Sequence, residues 1–357
     1  MNAITFEQAK AGSTEMKGAY MKSLRFSHRN LNRVIQEVKN CMIPSAGLSI
    51  TIVVGPTGAG KSTFAGLQSE TLLERYETEI REDPSVIPVV LSEVDAADQK
   101  EINWQLFYNR ICEDLNSLFT DEPANQTNSP IDVVKSSRMR FERALRNRQV
   151  RHLILDEAIH FVDSKSDPLQ YGNLLKSLGN RGNMNLLLVG AYGSEQLVRS
   201  SGQLARRIAV VHFPRYQENQ DDFDAFTQFI KEFAEHIPLT EKVDLKPYVI
   251  KLFEAHIGLP GWATQTIIKA VLACSEAGNK WDEAMFWNSF PSQEAYNTIA
   301  PSTLDGEERV KPFLQPEGPM HYKPLSEVRS ELIAKARRSN NKGTGSKRED
   351  GNDSAFA

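Results

Sequence analysis

The stretch "LSITIVVGPTGAGKST", Leu48–Thr63, runs from an apolar segment through a glycine-rich turn into a helical pattern that continues to Ile80. The turn, Gly55–Thr63, matches G-x-x-x-x-G-K-[ST], and its flanks are those the chemistry requires, a buried strand before it and a helix after it. Gly55, Gly58 and Gly60 let the backbone curl so that successive N–H groups converge on a phosphate. The helix N-terminus adds its partial positive charge. Pro56, Thr57, Ala59 and Thr63 complete the loop. Lys61 is placed to reach the β- and γ-phosphates of a nucleotide, and Ser62 to ligate Mg²⁺. ATP and Mg²⁺ are therefore the expected cofactors.

Strands alternate with helices around this turn. Leu48–Val54 reads as the first strand and Val86–Val94 as the second. "VRHLILDE" (Val150–Glu157), "MNLLLVGA" (Met184–Ala191) and "IAVVHF" (Ile208–Phe213) follow. Between them fall a helix burying Phe107, Ile111, Leu115 and Leu118, a basic helix over Val133–Arg148, and another near 168–179. Such alternation gives a parallel sheet covered on both faces. From Glu218 the pattern is helical only. Phe223, Phe226, Ile230, Phe233 and Ile237 form one stripe, and further helices fall near 244–256, 261–276 and 281–289. Ahead of the sheet, residues 1–23 show little periodicity. Leu31, Val34, Ile35 and Val38 make a helical stripe expected to pack on the core. The expected organisation is an N-terminal segment (1–45), an α/β core (46–216), a small helical domain (217–290) and a Pro-rich segment ending in a disordered tail (291–357).

"HLILDEAIHF" (His152–Phe161) ends an apolar strand in two carboxylates, at the sheet edge where open α/β folds bind ligands. Asp156 is placed to hold Mg²⁺ and Glu157 to orient and deprotonate an attacking water. A carboxylate pair after a strand is also a common helix cap, and its position downstream of a P-loop gives it weight. His160 reads as a packed or solvent-facing residue. "QLARRIAVVHFP" then places Arg206 and Arg207 just before the fifth strand. As cations at a helix C-terminus they would contribute about 0.3–1 kcal/mol. As a finger that a neighbouring subunit inserts into the phosphate site, an arginine is worth about 10³–10⁵ in rate.

With these residues in place, the chain resembles the TnsC/TniB family, AAA+ regulators of Tn-seven-like and related transposons, some of them CRISPR-guided. The resemblance spans roughly Leu24 to Ala277. It rests on "RFSHRNLNRVI", "VVGPTGAGKST", "LILDEAIHF", "LLLVGA" and "QLARRI". It implies an α/β AAA+ P-loop NTPase with a five-stranded parallel sheet and a small all-helical lid domain, and it puts Arg207 on the family's arginine. It also implies a DNA-stimulated ATPase that polymerises on duplex DNA as a ring or filament. Such an ATPase connects a target selector, a protein or a guide-RNA complex, to the transposase subunits. Two positions depart from the pattern. Ala191, followed by Tyr192, stands where a polar residue senses the γ-phosphate, and Trp262 stands where many lids place a sensor arginine, leaving Lys269 as the nearest cation. The C-terminal segment "KPFLQPEGPMHYKPLSEVRSELIAKARR" reads equally as a docking tail for a transposase subunit and as a solvated one.

The net charge of −4 does not suggest wholesale nucleic-acid binding, but the charge is segregated. Between Lys135 and Arg151 there are seven basic residues and one acid, Glu142. With Val134, Phe141 and Leu145 turned inward, Arg138, Arg140, Arg143 and Arg146 spread over the exposed side, where contact to phosphate needs charge but no base-reading geometry. A solvated face, or a contact with an acidic neighbour, explains the same pattern. Lys176 and Arg181 are a rival DNA site. Three scattered cysteines, Cys41, Cys112 and Cys274, suit reduced structural thiols in a cytoplasmic protein. No apolar run is long enough to span a bilayer, so no membrane partner is expected. Three other functions remain open: an initiator or clamp-loader-like ATPase acting in replication, a small-molecule P-loop kinase, and a nucleotide-dependent scaffold with negligible turnover.

Overall fold

The computed structural model describes residues 4–42, 50–96, 102–115, 130–163, 184–200, 202–315 and 322–344. Two N-terminal helices, α1 (Phe6–Ala11) and α2 (Thr14–Ser23), are followed by α3 (Arg29–Cys41), β1 (Ile50–Val54), α4 (Lys61–Arg75), α5 (Glu77–Glu82) and β2 (Val89–Glu93). Next come α6 (Trp104–Asp114), α7 (Pro130–Asn147), β3 (His152–Asp156), α8 (His160–Asp163), β4 (Asn185–Gly190), α9 (Gly202–Ala205) and β5 (Ile208–His212). The helical part contains α10 (Gln220–Ala234), α11 (Val249–Ala255), α12 (Pro260–Glu276), α13 (Glu283–Asn288) and α14 (Gln293–Val310). Residues 1–314 form one compact unit; the remainder forms a second, which carries α15 (Leu325–Thr344).

The five strands pair in parallel in the order β2-β3-β4-β1-β5. Every residue of β1 and β4 is buried, as expected for central strands covered on both faces. Alternation along the strands sends Ile52, Leu155, Leu188 and Val210 to the face covered by α6 and α7, with Phe107, Ile111 and Phe141. Val53, Ile154, Leu187 and Val211 face Leu31 and Val34 of α3 and Phe64 and Leu72 of α4. The register pairs Val54 with Gly190 on one side and His212 on the other, so three strand ends open on one edge.

Four segments differ from the sequence reading. Residues 1–23, which show little periodicity, form two capped helices that pack on the helical part. Thr14 Oγ1 lies 3.0 Å from Ser275 Oγ, and Ala9, Tyr20 and Met21 join the core built on Phe226, Ile230 and Ile267. The helix after the P-loop breaks at Tyr76 into α4 and α5, and does not run straight to Ile80. Within the Pro-rich segment, α14 starts behind a Ser292 cap and sends Ile299 and Val310 into the two sheet cores. Pro301 is accommodated within this helix. In the tail, α15 carries "RRSNNKGT" as helix, with Leu325, Leu332 and Ile333 exposed. The expected helix near 168–179 lies outside the described residues.

Four histidines are held in the interior as neutral rings. His28 meets Tyr216 OH at 3.0 Å, His152 meets Tyr76 OH at 2.9 Å and His212 meets Tyr192 OH at 2.8 Å. His256 bonds the Leu252 carbonyl through Nδ1 and Thr266 Oγ1 through Nε2. Burial pushes each of them down to about 4 from the ordinary 6.5. The unfolded chain therefore binds more protons than the folded one between those values. The stability is fully present above pH 6.5 and is lost as pH falls toward 4, at about 1.4 kcal/mol per pH unit for each ring that must charge. Calorimetry should show the melting temperature dropping steeply from pH 6.5 to 4.5; a flat profile over that range would refute the neutral-ring assignment.

Candidate nucleotide site

The P-loop forms where β1 runs out. Gly55 N–H donates to the Gly190 carbonyl at 3.4 Å, and a Cβ on Gly55 would collide with the Phe213 carbonyl, so only glycine lets the chain turn there. Gly58 (φ +85°) and Gly60 (φ +105°) take left-handed conformations that side chains resist. Gly60 caps α4, whose buried face is Phe64, Ala65 and Leu72. Ser62 is exposed in the first helical turn. Lys61 is half-buried, and its Nζ donates to the Pro56 carbonyl at 2.9 Å. Burial lowers its ammonium to about 8, against the opposing pull of Glu157 and Asp156, so the cation predominates at pH 7. Their pull on the ammonium puts the lysine and both carboxylates in one electrostatic site.

Asp156 ends β3, and Glu157 follows in a left-handed conformation (φ +56°) that costs a non-glycine residue about 1–2 kcal/mol. Three hydrogen bonds hold the turn. Glu157 N–H donates to Asp156 Oδ1 at 2.9 Å, Ala158 N–H to the Val189 carbonyl at 2.8 Å, and His160 N–H to the Glu157 carbonyl at 3.1 Å. Among the described residues no group of three His, Cys, Asp or Glu could hold a metal. One carboxylate and one hydroxyl, Asp156 and Ser62, match the sparse protein ligation of Mg²⁺ that is otherwise held by phosphates and water. His160 is half-buried at the start of α8.

At the end of β4, Tyr192 is committed elsewhere. Its hydroxyl meets His212 Nε2, and its ring lies so close to α14 that a Cβ on Gly306 would collide with it. The helical part closes on the loop from the other side. Gly261 N–H donates to the Gly58 carbonyl at 2.8 Å, and Trp262 lies against Gly58. Trp262, at the position where many lids place a sensor arginine, thus packs directly on the P-loop. Lys269 is exposed seven residues on, roughly 10 Å along α12. This contact of α12 with the loop, and the residues of α14 beside it, were not found from sequence. The "PGW" at the helix start, two small residues before a large one, was the available signal for the first.

The remaining candidates lie away from the loop. Arg206 is exposed and Arg207 half-buried in the turn before β5, and Ile50 N–H donates to the Arg207 carbonyl at 3.2 Å. On α7, Val134, Phe141 and Leu145 face inward. Arg143 and Arg146 are exposed, and Arg138 pairs with Glu142 at 3.0 Å. Arg140 departs from the expected exposed row, because it is half-buried; its Nη2 donates to Ser137 Oγ at 3.5 Å, while its Nε is shielded from solvent without a partner among the described residues. Lys176 and Arg181 lie outside the described residues. The three cysteines are free thiols.

Adding a methyl group at Gly261 would put carbon 2.7 Å from the Gly58 carbonyl, so the helical part must move off the loop. Gly261→Ala should weaken nucleotide binding about tenfold in a fluorescent-ADP titration while Tm stays close to the parent's. Unchanged affinity would mean that this contact does not shape the site.

No curated protein matches the chain. Among solved structures, the ORC1 protein of Aeropyrum pernix in complex with DNA superposes with a TM-score of 0.53 at 14% identity, over 76% of this chain and 66% of that one. The ORC2 protein of the same organism, in its ADPNP–ADP complexes, gives 0.50 at 17% identity, over 72% and 66%. The chain thus spans about two thirds of their length. At this identity the likeness establishes the α/β P-loop NTPase fold and no more. The family model described as "Bacterial TniB protein" matches residues 19–218, more than half of the chain, from before α3 through the turn after β5. This protein is a member of the TniB family.

Proposed function

We propose that this AAA+ ATPase is an ATP-dependent, DNA-binding regulator of transposition. It assembles on duplex DNA, links target-site selection to the transposase, and is dismantled by hydrolysis. The observation that carries the reading is the separation of two groups of charge. Lys61, Asp156 and Glu157 sit at the C-terminal edge of the sheet. Arg206 and Arg207 sit at the opposite end of β5, a five-residue strand of about 16 Å. An arginine placed there is too far from its own P-loop and suits the phosphates of a neighbouring copy.

In the proposed reaction the loop amides and Lys61 hold the phosphates of ATP. Glu157 accepts a proton from the water that attacks the γ-phosphorus. The bond from that phosphorus to the bridging oxygen breaks, and ADP and phosphate leave. Mg²⁺, held by Ser62 and Asp156, would neutralise charge on the phosphate oxygens. Arg207, with Arg206 beside it, would stabilise the same charge from the next subunit. Arg143, Arg146 and Arg138 offer sequence-independent contacts to the DNA backbone, and Lys176 and Arg181 remain the rival pair. TniB membership supports transposase subunits and a selector, whether a protein or a guide-RNA complex, as the proposed partners, and the bacterial cytoplasm as the proposed place of action.

Electron microscopy with duplex DNA and a non-hydrolysable ATP analogue should show rings or filaments that are absent without nucleotide. Lys61→Ala should abolish them, and Glu157→Gln should trap them with ATP itself. Equal DNA affinity of the parent protein with and without ATP would overturn the proposal. DNA affinity should also fall with salt at a log–log slope of about −0.9 per phosphate contact, and a flat response would remove α7 as the DNA surface.

A further inference from the structure

A cavity of about 180 Å³ opens beside the P-loop. One wall is Pro56 and Thr57, another is Tyr192 at the end of β4, and the third is α14, which contributes Ser302, Thr303 and Arg309. Pro56 is one hydrogen bond from Lys61 Nζ, so the cavity adjoins the phosphate-binding lysine. Its lining is hydroxyl-rich, and among the described residues Arg309 is the only charged side chain on it, a composition suited to an anion. One water takes about 30 Å³ in the liquid, so there is room for a phosphoryl group with part of its hydration.

The end of β4 supplies no group to read that anion. Ala191 has only a methyl, and the Tyr192 hydroxyl is already hydrogen-bonded to His212. Arg309 can be recruited more easily. It pairs with Asp305 one turn earlier on α14 at 2.9 Å, and the two side chains are 54% and 65% exposed. Exposed pairs of this spacing hold loosely and exchange partners readily.

The same turn of α14 is gripped from its other side. Glu307 Oε1 lies 3.1 Å from Nε of Arg215, which is almost fully buried, and accepts from Gln217 Nε2 at 2.9 Å. Arg215 Nη1 in turn donates to the Ile257 carbonyl at 3.2 Å, just before α12 begins. Movement of Arg309 therefore bears on the linker that carries the helical part.

We infer that Arg309 reads the terminal phosphate of ATP in cis, replacing the missing polar group at the end of β4, and passes the nucleotide state through Glu307 and Arg215 to the helical part. The inference rests on ATP binding at the P-loop, as proposed above, and adds the residue that tells ATP from ADP. With ATP bound, Arg309 leaves Asp305 for the γ-phosphate; with ADP it returns.

Dissociation constants of ATPγS and ADP, each with Mg²⁺, test it on the full-length chain. Arg309→Ala should weaken ATPγS about tenfold or more and ADP less than about twofold, because a hydrogen bond to a charged group is lost in one complex only. Arg309→Lys should recover part of the difference. Asp305→Asn, which frees the arginine, should shift the preference toward ATPγS, an effect that a merely structural ion pair would not produce. An unchanged ATPγS-to-ADP ratio in Arg309→Ala would overturn the inference. Equal losses for both nucleotides would also overturn it, as would a defect confined to assembly on DNA, which would place Arg309 in a subunit contact. Lys61→Ala separates the two levels. If it abolishes binding while Arg309→Ala leaves the ratio intact, the P-loop reading stands and only this inference falls; a parent protein that binds neither nucleotide overturns both.

Discussion

The hydrogen bond from Gly261 N–H to the Gly58 carbonyl brings two backbones together with no side chain between them. It can form only because both partners are glycines and because Gly58 sits in a left-handed turn that exposes its carbonyl. The P-loop is fixed on its other flanks by equally close approaches. Gly55 is set against the Phe213 carbonyl, and Gly190, one strand away, against Ser194. The loop is thus clamped between the edge of the sheet and the start of α12. A phosphate entering the loop must therefore act on the sheet edge and on the helical part together.

The linker after β5 carries that coupling, and its contacts are unusually dense for a loop. Asn30 Nδ2 donates to the carbonyls of Pro214 and Arg215, His28 meets Tyr216 OH, and Tyr216 N–H donates to the Gly258 carbonyl. Arg29 pairs with Asp222 at the start of α10. His28, Arg29 and Asn30 thus tie the start of α3 to this linker. At the centre is Arg215, buried and held between Glu218 and Glu307. Removing one partner of such a buried ion pair typically costs about 3–5 kcal/mol, because the remaining charge cannot be resolvated. A linker built this way moves as a unit, with α14 attached to it.

The strands and the P-loop were legible in the sequence because their signals are local. Five apolar residues ending in glycine, or an apolar strand ending in Asp156-Glu157, read the same in any context. Helices α1 and α2 were not legible, since the buried face of α2, Lys17, Tyr20 and Met21, includes a lysine and is covered by α12, far along the chain. Helix α14 was hidden by Pro301 and by prolines on either side of it. The wide spread of arginines expected on α7 failed at Arg140 for a similar reason. Helical periodicity gives an angle around the axis, but it cannot say that α6 will pack close enough to shield that angle from solvent.

One consequence follows for assembly on the proposed reading. The phosphate site opens on one edge of the sheet and the paired arginines on the other, so a contact that joins them uses two different surfaces of each subunit. Such a contact is head-to-tail, and repetition must either close a ring or wind into a helix. Duplex DNA can bias that choice without being read, because a helical phosphate backbone rewards a helical array of arginines whatever its sequence. ATP binding then has two tasks at a single site. It completes the contact for the neighbour's arginine, and through α12 and α14 it sets the angle at which the helical part meets the sheet. A regulator built on these terms needs no separate switch, since loss of the γ-phosphate removes the anion on which both tasks depend.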